Sequence, residues 1–251
     1  MKRGQVSVFV IIAIILVLTG SIAFYLTKSG YFGNYFTSAE IKPQVDSLKD
    51  SLRECVDLTA KDALDIIGLQ GGFYDEPKRA YNIESIFVPY YYYEGEFLMP
   101  SNEKVESELG KFMDQNLPKC IDSVKPNDFE VSYKVPKSKV KIGSNDVEFI
   151  IDMPIIISKE KHTTVIPLKE IPVSKISKLN DMLDISKYVT DSHREDPEMI
   201  CMSCLIKMAQ ERNVYLEILD VIGDNSTQFI LYENITDSQG YYYQFLNKYK
   251  K

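Results

Sequence analysis

The chain has no tryptophan, and only two histidines and four cysteines among its 251 residues. That leaves little material for histidine acid–base catalysis or for a metal site. No G-x-S-x-G elbow, Walker phosphate loop or H-E-x-x-H pair occurs, so the usual marks of serine hydrolases, nucleotidases and zinc peptidases are missing. Leu69-Gln70-Gly71-Gly72 is too short for a phosphate loop and lacks its lysine. Basic residues are also in deficit, with 29 Lys+Arg against 36 Asp+Glu and a formal charge of -7. Such a chain has no general electrostatic attraction for a phosphate backbone. Without tryptophan or a basic aromatic groove, neither glycans nor single strands are favoured ligands. No cofactor and no nucleic acid is expected. What remains is a chain that is 45% hydrophobic and 26% charged, the balance of a folded protein and not of a disordered one. Its length suits one large domain or two small ones.

The most informative stretch comes first. Gly4 to Thr27 carries no charge. As a helix, about 24 residues reach roughly 36 Å, enough to cross a bilayer core of about 30 Å with some tilt. Inside lipid a helix satisfies its own backbone groups, so the run is expected to be helical despite its β-branched residues. A cleaved secretory signal has a shorter apolar region, and Thr19-Gly20-Ser21-Ile22-Ala23 is only a loose cleavage site. A retained membrane anchor is therefore expected over residues 1–27, with Tyr25, Tyr31 and Phe32 near the interface. Lys2 and Arg3 are the closer basic pair, against Lys28 and Lys42 beyond the run, which points to a cytoplasmic N-terminus and an extracytoplasmic body. Two sequons, at Asn225 and Asn234, are compatible with export.

Lys2-Arg3-Gly4 followed by Gln5-Val6-Ser7-Val8-Phe9 and the apolar run resembles the class III signal of archaeal type IV pilin-like proteins. The resemblance implies cleavage after Gly4 by a prepilin peptidase, leaving Gln5 as the first mature residue and keeping the apolar helix. The family often carries glutamate at the fifth mature position, which is Phe9 here. Gly68-Leu69-Gln70-Gly71-Gly72-Phe73, the Tyr93 to Ser101 stretch and the aromatic C-terminal segment are similar to a group of single-span proteins from small-genome archaea. That likeness implies a location and no mechanism.

Residues 28–40 read as a juxtamembrane linker, and 41–251 as an external α+β domain with a possible sub-boundary near 125. Val45, Leu48, Leu52, Cys55, Thr59, Ala63 and Ile66 recur at helical spacing, and Gly71-Gly72 stops that helix. Its stripe serves packing on the protein's own sheet, or a coiled coil with another copy. Tyr90, Tyr91, Tyr92 and Tyr93 form either an exposed recognition patch or a strand with alternating rings. A second helix is expected from Asn102 to Asn116, with Ser101 as N-cap. From Phe129 to Ile171 the period turns to two, an antiparallel meander with a hairpin break at Gly143 to Asp146. Helical patterns return over Ser174–Arg194 and Asp196–Arg212. Strands follow over Val214–Val221, Gln228–Ile235 and Tyr241–Leu246. The fold class is thus α+β: a transmembrane helix followed by antiparallel sheet with packed helices.

Cys55 on the first helix and Cys120 after the second can bridge those helices, or remain separate thiols. Cys201-Met202-Ser203-Cys204 admits a local disulfide, half a zinc site, or a redox pair with His193 nearby in sequence. Three functions stay open. One is an anchored surface protein with a binding or scaffolding domain, contacting the lipid bilayer and other envelope proteins or itself. Another is a pilin-like filament subunit processed after Gly4. The last is an extracytoplasmic enzyme or thiol redox protein using the C-x-x-C.

Overall fold

The computed structural model describes residues 42–83, 86–159, 162–196, 200–233 and 240–249. The expectations for Gly4, Gln5, the apolar run, the linker and Asn234 lie outside the described residues. Among the described residues, no helix is long and apolar enough to cross a membrane.

Helix α1 spans Lys42–Leu69. Val45, Leu48, Leu52, Cys55, Thr59 and Ala63 are buried as the spacing requires, but Ile66 is exposed and Ile67 takes its place. The face drifts because α1 is 28 residues long, and a 3.6-residue period does not stay on a 3.5-residue stripe. The helix stops where Gly71 and Gly72 turn left-handed, at φ +52° and +83°, with Gly72 N–H bonded to the Ile67 carbonyl at 2.8 Å. Gly68 is needed for closeness, not turning: a Cβ there would overlap the Tyr242 carbonyl oxygen.

Helix α2 runs over Asn102–Ser123, with the Ser101 hydroxyl accepting from the Lys104 N–H as its N-cap. It continues past Asn116 and through Pro118, although proline removes one helical hydrogen bond. Leu117 and Ile121 are fully buried and Cys120 is bridged to Cys55, so packing and a covalent link hold the extra turn. Across this contact α1 and α2 share a core in which each fully buried leucine stabilises by about 1.5–3 kcal/mol.

Strands β1 (Ala80–Ile83), β2 (Ile86–Tyr93) and β3 (Glu96–Phe97) precede α2. After it come β4 (Glu130–Tyr133), β5 (Lys137–Ile142), β6 (Asp146–Asp152), β7 (Pro154–Lys159), β8 (His162–Pro167) and β9 (Val173–Ile176). These last six form two three-stranded antiparallel sheets, ordered β4-β7-β8 and β5-β6-β9. Only Met153 separates β6 from β7, and Pro154 sits opposite Pro167. Neither proline offers an N–H to the ladder, and β6 and β7 fall in separate sheets on either side of Met153. Val147, Phe149 and Ile151 alternate inward along β6. The free edge of β5 is covered by α2: Asp114 accepts the Ser138 N–H at 2.8 Å and Glu106 accepts the Ile142 N–H at 2.9 Å.

Helix α3 is Leu179–Glu195, and α4 is Met202–Glu211. The helical pattern from Ser174 is corrected: β9 pairs with β6 up to Ile176, and Ile176 itself is 92% exposed. Strand pairing outweighs a weak helical period there. The chain ends in β10 (Val214–Val221), β11 (Ser226–Glu233) and β12 (Tyr242–Lys248). With β1, β2 and β3 they form the largest sheet, ordered β1-β2-β12-β11-β10, with β3 on the end of β2. The β2–β12 pair is parallel and the others antiparallel. The described fold is therefore α+β and rich in antiparallel sheet. Buried side chains from α1 to α4 and all three sheets join one continuous apolar cluster.

Candidate functional site

A groove with an exposed apolar wall lies where α4 meets β10. Cys201 caps α4, its sulfur accepting the Cys204 N–H at 3.3 Å. The same two residues form a disulfide with their Cα atoms 5.2 Å apart, and both are exposed. Leu205 and Ala209 face the core. One turn round the helix, Met202 and Ile206 stay 45% and 49% exposed, which leaves an apolar face without cover. It borders a groove of about 560 Å³ whose other wall is β10, including Tyr215, Leu216 and Ile218. Successive strand residues point to opposite faces, so a groove touching both Tyr215 and Leu216 wraps the strand edge. Among the described residues β10 pairs only with β11. The turn into β10 is tight because Asn213 takes φ +53°, a left-handed conformation asparagine tolerates.

From this groove an aromatic row crosses the sheet. Tyr215, Tyr232 and Tyr242 stand in register on β10, β11 and β12. Their rings stack at centroid distances of 5.4 and 5.7 Å. The Tyr232 hydroxyl donates to Glu217 at 3.2 Å. Tyr215 and Tyr242 are exposed, so the row presents stacked aromatic area to solvent. Sequence reasoning missed it: each tyrosine is isolated in its own strand, and only the register unites them.

Of the two readings of the four-tyrosine run the strand holds, without exposed rings alternating along it. Tyr90, Tyr91 and Tyr92 are buried and Tyr93 half-buried, because β2 is an interior strand that packs on both faces. The Tyr91 hydroxyl donates to the Gly71 carbonyl at 2.9 Å and also meets the Tyr243 hydroxyl. Burial pushes the Tyr91 hydroxyl well up, so it stays protonated. Tyr90 donates to Asp224 in the β10–β11 turn, and Lys248 reaches the same carboxylate at 2.8 Å. Burial opposes the Asp224 charge, but the Lys248 and Tyr90 hydrogen bonds outweigh it and hold the carboxyl below its usual range. Tyr93 has two cations over its ring, with the Arg79 guanidinium 4.5 Å and the Lys248 ammonium 5.3 Å from its centre.

Two further buried ionisable groups are structural in their contacts. Glu108 accepts from Lys104 at 2.6 Å, from Lys111 at 2.9 Å, and from the Tyr74 and Asp75 N–H groups at 2.9 and 3.1 Å. Burial alone would raise its pKa, but those four donors bring it down to about 2. They tie the segment after α1 to α2. His193 is buried on α3, 2.7 Å from the Asn247 side-chain amide and 2.9 Å from the Tyr249 hydroxyl. Burial lowers its pKa to about 4. Its hydrogen bonds thus go to β12 and the residue beyond it, while Cys201 contacts Ser203 and the Cys204 N–H. Cys55 and Cys120 form the expected bridge, with Cα atoms 5.7 Å apart. Asn225 is exposed at the β10–β11 turn with φ +57°, open to modification. Among the described residues, no group of three or more His, Cys, Asp or Glu is placed to hold a metal ion.

Comparison with protein-family models, with curated proteins and with solved structures finds no match to this chain.

Proposed function

We propose that this chain is a membrane-anchored cell-surface protein whose external domain binds or scaffolds a partner, in place of turning over a substrate. The observation that carries this reading is the cysteine chemistry. All four cysteines are paired, Cys55 in the core with the half-buried Cys120, and Cys201 with Cys204 at the surface. Disulfides persist where the surroundings oxidise, and exposed ones are the first to open in a reducing cytosol. The uncharged run from Gly4 to Thr27 supplies the anchor, and Lys2 and Arg3 set its cytoplasmic end. The groove beside β10 and the Tyr215-Tyr232-Tyr242 row supply the binding face. The bilayer and other envelope proteins, or another copy, are the partners of this reading.

The test is fractionation of cells producing the full chain. Carbonate washing leaves the protein in the membrane, and protease added to intact cells digests its bulk. Release by carbonate, or protection until the cells are broken, overturns the reading. A pilin-like filament subunit is the second reading, favoured by Lys2-Arg3-Gly4 ahead of the apolar run. It requires a mature N-terminus at Gln5 and high-order assembly. An N-terminus at Met1 with monodisperse detergent-solubilised protein removes it.

A further inference from the structure

We infer that Asn225 carries an N-linked oligosaccharide whose first sugar rests in the polar hollow beside the β10–β11 turn. This modification rests on the external body proposed above, because N-glycan transfer acts on exported chains and marks surface loops. The acceptor triplet is Asn225-Ser226-Thr227, with no proline in the middle. The fold leaves its first residue uncovered. Asn225 is exposed in the turn, at a left-handed φ of +57° that asparagine tolerates. In the same turn a Cβ at Gly223 would meet no atom within 4 Å, so a bulky group has room there.

The triplet alone recurs often by chance, and the hollow next to it is the second observation. It holds about 490 Å³, and Asn225 itself stands on its wall with Asp220, Gly223, Thr227 and Tyr249. That volume falls within the about 300–1,000 Å³ of small-ligand sites. Its lining suits a sugar ring. The Asp220 carboxylate and the Thr227 hydroxyl can accept hydrogen bonds from sugar hydroxyls, and the Tyr249 ring offers apolar surface to the sugar's C–H face. Tyr249 is already held, its hydroxyl 2.9 Å from His193 Nε2, so little ordering is needed when the sugar seats. A sugar tethered at Asn225 starts at the hollow, which makes its docking intramolecular.

The threonine of the triplet sets the order of events. Thr227 lies opposite Asp220 on one side and Asn247 on the other, inside the sheet. Its hydroxyl is therefore read before the β10–β11 hairpin closes, and the finished fold only has to accommodate the product. In the transfer, the Asn225 side-chain nitrogen attacks the anomeric carbon of a lipid-linked oligosaccharide phosphate. A C–N bond forms, the bond from that carbon to the phosphate oxygen breaks, and the lipid phosphate leaves. The amide gives one proton to the transferase, and nothing is oxidised or reduced.

The test uses the full chain, made in cells that have an N-glycosylation pathway and purified in detergent. Peptide mass spectrometry finds an oligosaccharide on Asn225, and both Asn225→Gly and Thr227→Val lose that mass. Glycine accepts the left-handed turn and valine suits a strand, so the loss reports the triplet and not misfolding. Hydroxyl-radical footprinting reports the seat: Tyr249 is labelled less in the glycosylated chain than in Asn225→Gly, while Tyr215 is labelled alike in both. An unmodified Asn225, or equal labelling of Tyr249 in the two chains, overturns the proposal. Protease added to intact cells separates this from the reading it rests on. Digestion of an unmodified chain removes the glycan and leaves the external body standing, whereas protection of the chain removes both.

Discussion

Replacing both cysteines of the core bridge, as C55A/C120A, tests how this domain divides its stability between covalent and packing terms. The bridged residues are 65 apart in sequence, against 3 for Cys201 and Cys204. In the chain-entropy model the long loop restricts the unfolded chain by about 4.3 kcal/mol at 25 °C, and the short one by about 1.8 kcal/mol. The difference is thus about 2.5 kcal/mol before native-state effects. Those effects add in the same direction. Cys55 is buried between α1 and α2, so removing its sulfur opens a small void, whereas Cys201 and Cys204 leave none. For a domain of this size, about 4 kcal/mol lowers the melting temperature by roughly 8–16 °C. The assay is thermal and urea unfolding of C55A/C120A, C201A/C204A and the parent chain without reductant, with circular dichroism as readout. C55A/C120A should be clearly the least stable. Because Cys120 and Ile121 hold the turn past Pro118, it should also lose helix signal before the main transition. If C201A/C204A is destabilised as much, or if C55A/C120A melts with the parent, loop closure is not what the core bridge contributes.

Acid titration should separate two windows. His193 has its pKa lowered to about 4 from a usual 6.5, so the unfolded chain binds its proton first, and stability falls as pH drops from about 6.5 to 4. H193A should flatten that window in pH-dependent urea unfolding, and an unchanged slope would refute the assignment. Glu108 has its pKa lowered to about 2, so its contribution is present above the unfolded value near 4.5 and is lost as pH falls towards 2. E108Q should cost about 2–3 kcal/mol at neutral pH and remove the lower window; a loss below 1 kcal/mol would mean the four donors are satisfied by water. Gly71→Ala meets both a left-handed φ of +52° and Pro89 Cγ at 2.5 Å from the new Cβ. It should cost about 2 kcal/mol or more in urea unfolding, and a neutral outcome would show that the end of α1 can move away from β2.

How far the sequence disclosed this molecule depended on whether a feature was local. The α+β class, the α1 stripe, the Ser101 cap and the glycine stop of α1 were legible, because each rests on residues within a turn or two of one another. Both cysteine pairs were legible as candidates, since helix phase placed Cys55 inward and spacing placed Cys201 beside Cys204. The errors came where partners are distant. Val173–Ile176 has a passable helical period, yet β6 captures it as a strand. Pro118 argues for an end to α2, yet the link from Cys120 to Cys55 carries the helix onward.

The tyrosines make the point most sharply, because exposure could not be read from composition. Four in a row at Tyr90 to Tyr93 left an exposed patch or a strand with alternating rings open; the strand holds, but it is buried on both faces. The exposed aromatic row is assembled instead from Tyr215, Tyr232 and Tyr242, which lie in three strands and meet only through the β10–β11–β12 register. A one-residue slip of β11 would turn Tyr232 to the opposite face and dissolve the row. The exposed aromatic row is therefore a property of register, and register is fixed by the inward residues Phe229, Leu231, Tyr243 and Phe245, which are buried in the core. Packing inside the sheet determines the arrangement of rings outside it: a core substitution such as Leu231→Ala should disturb the ring stack before any surface residue is touched.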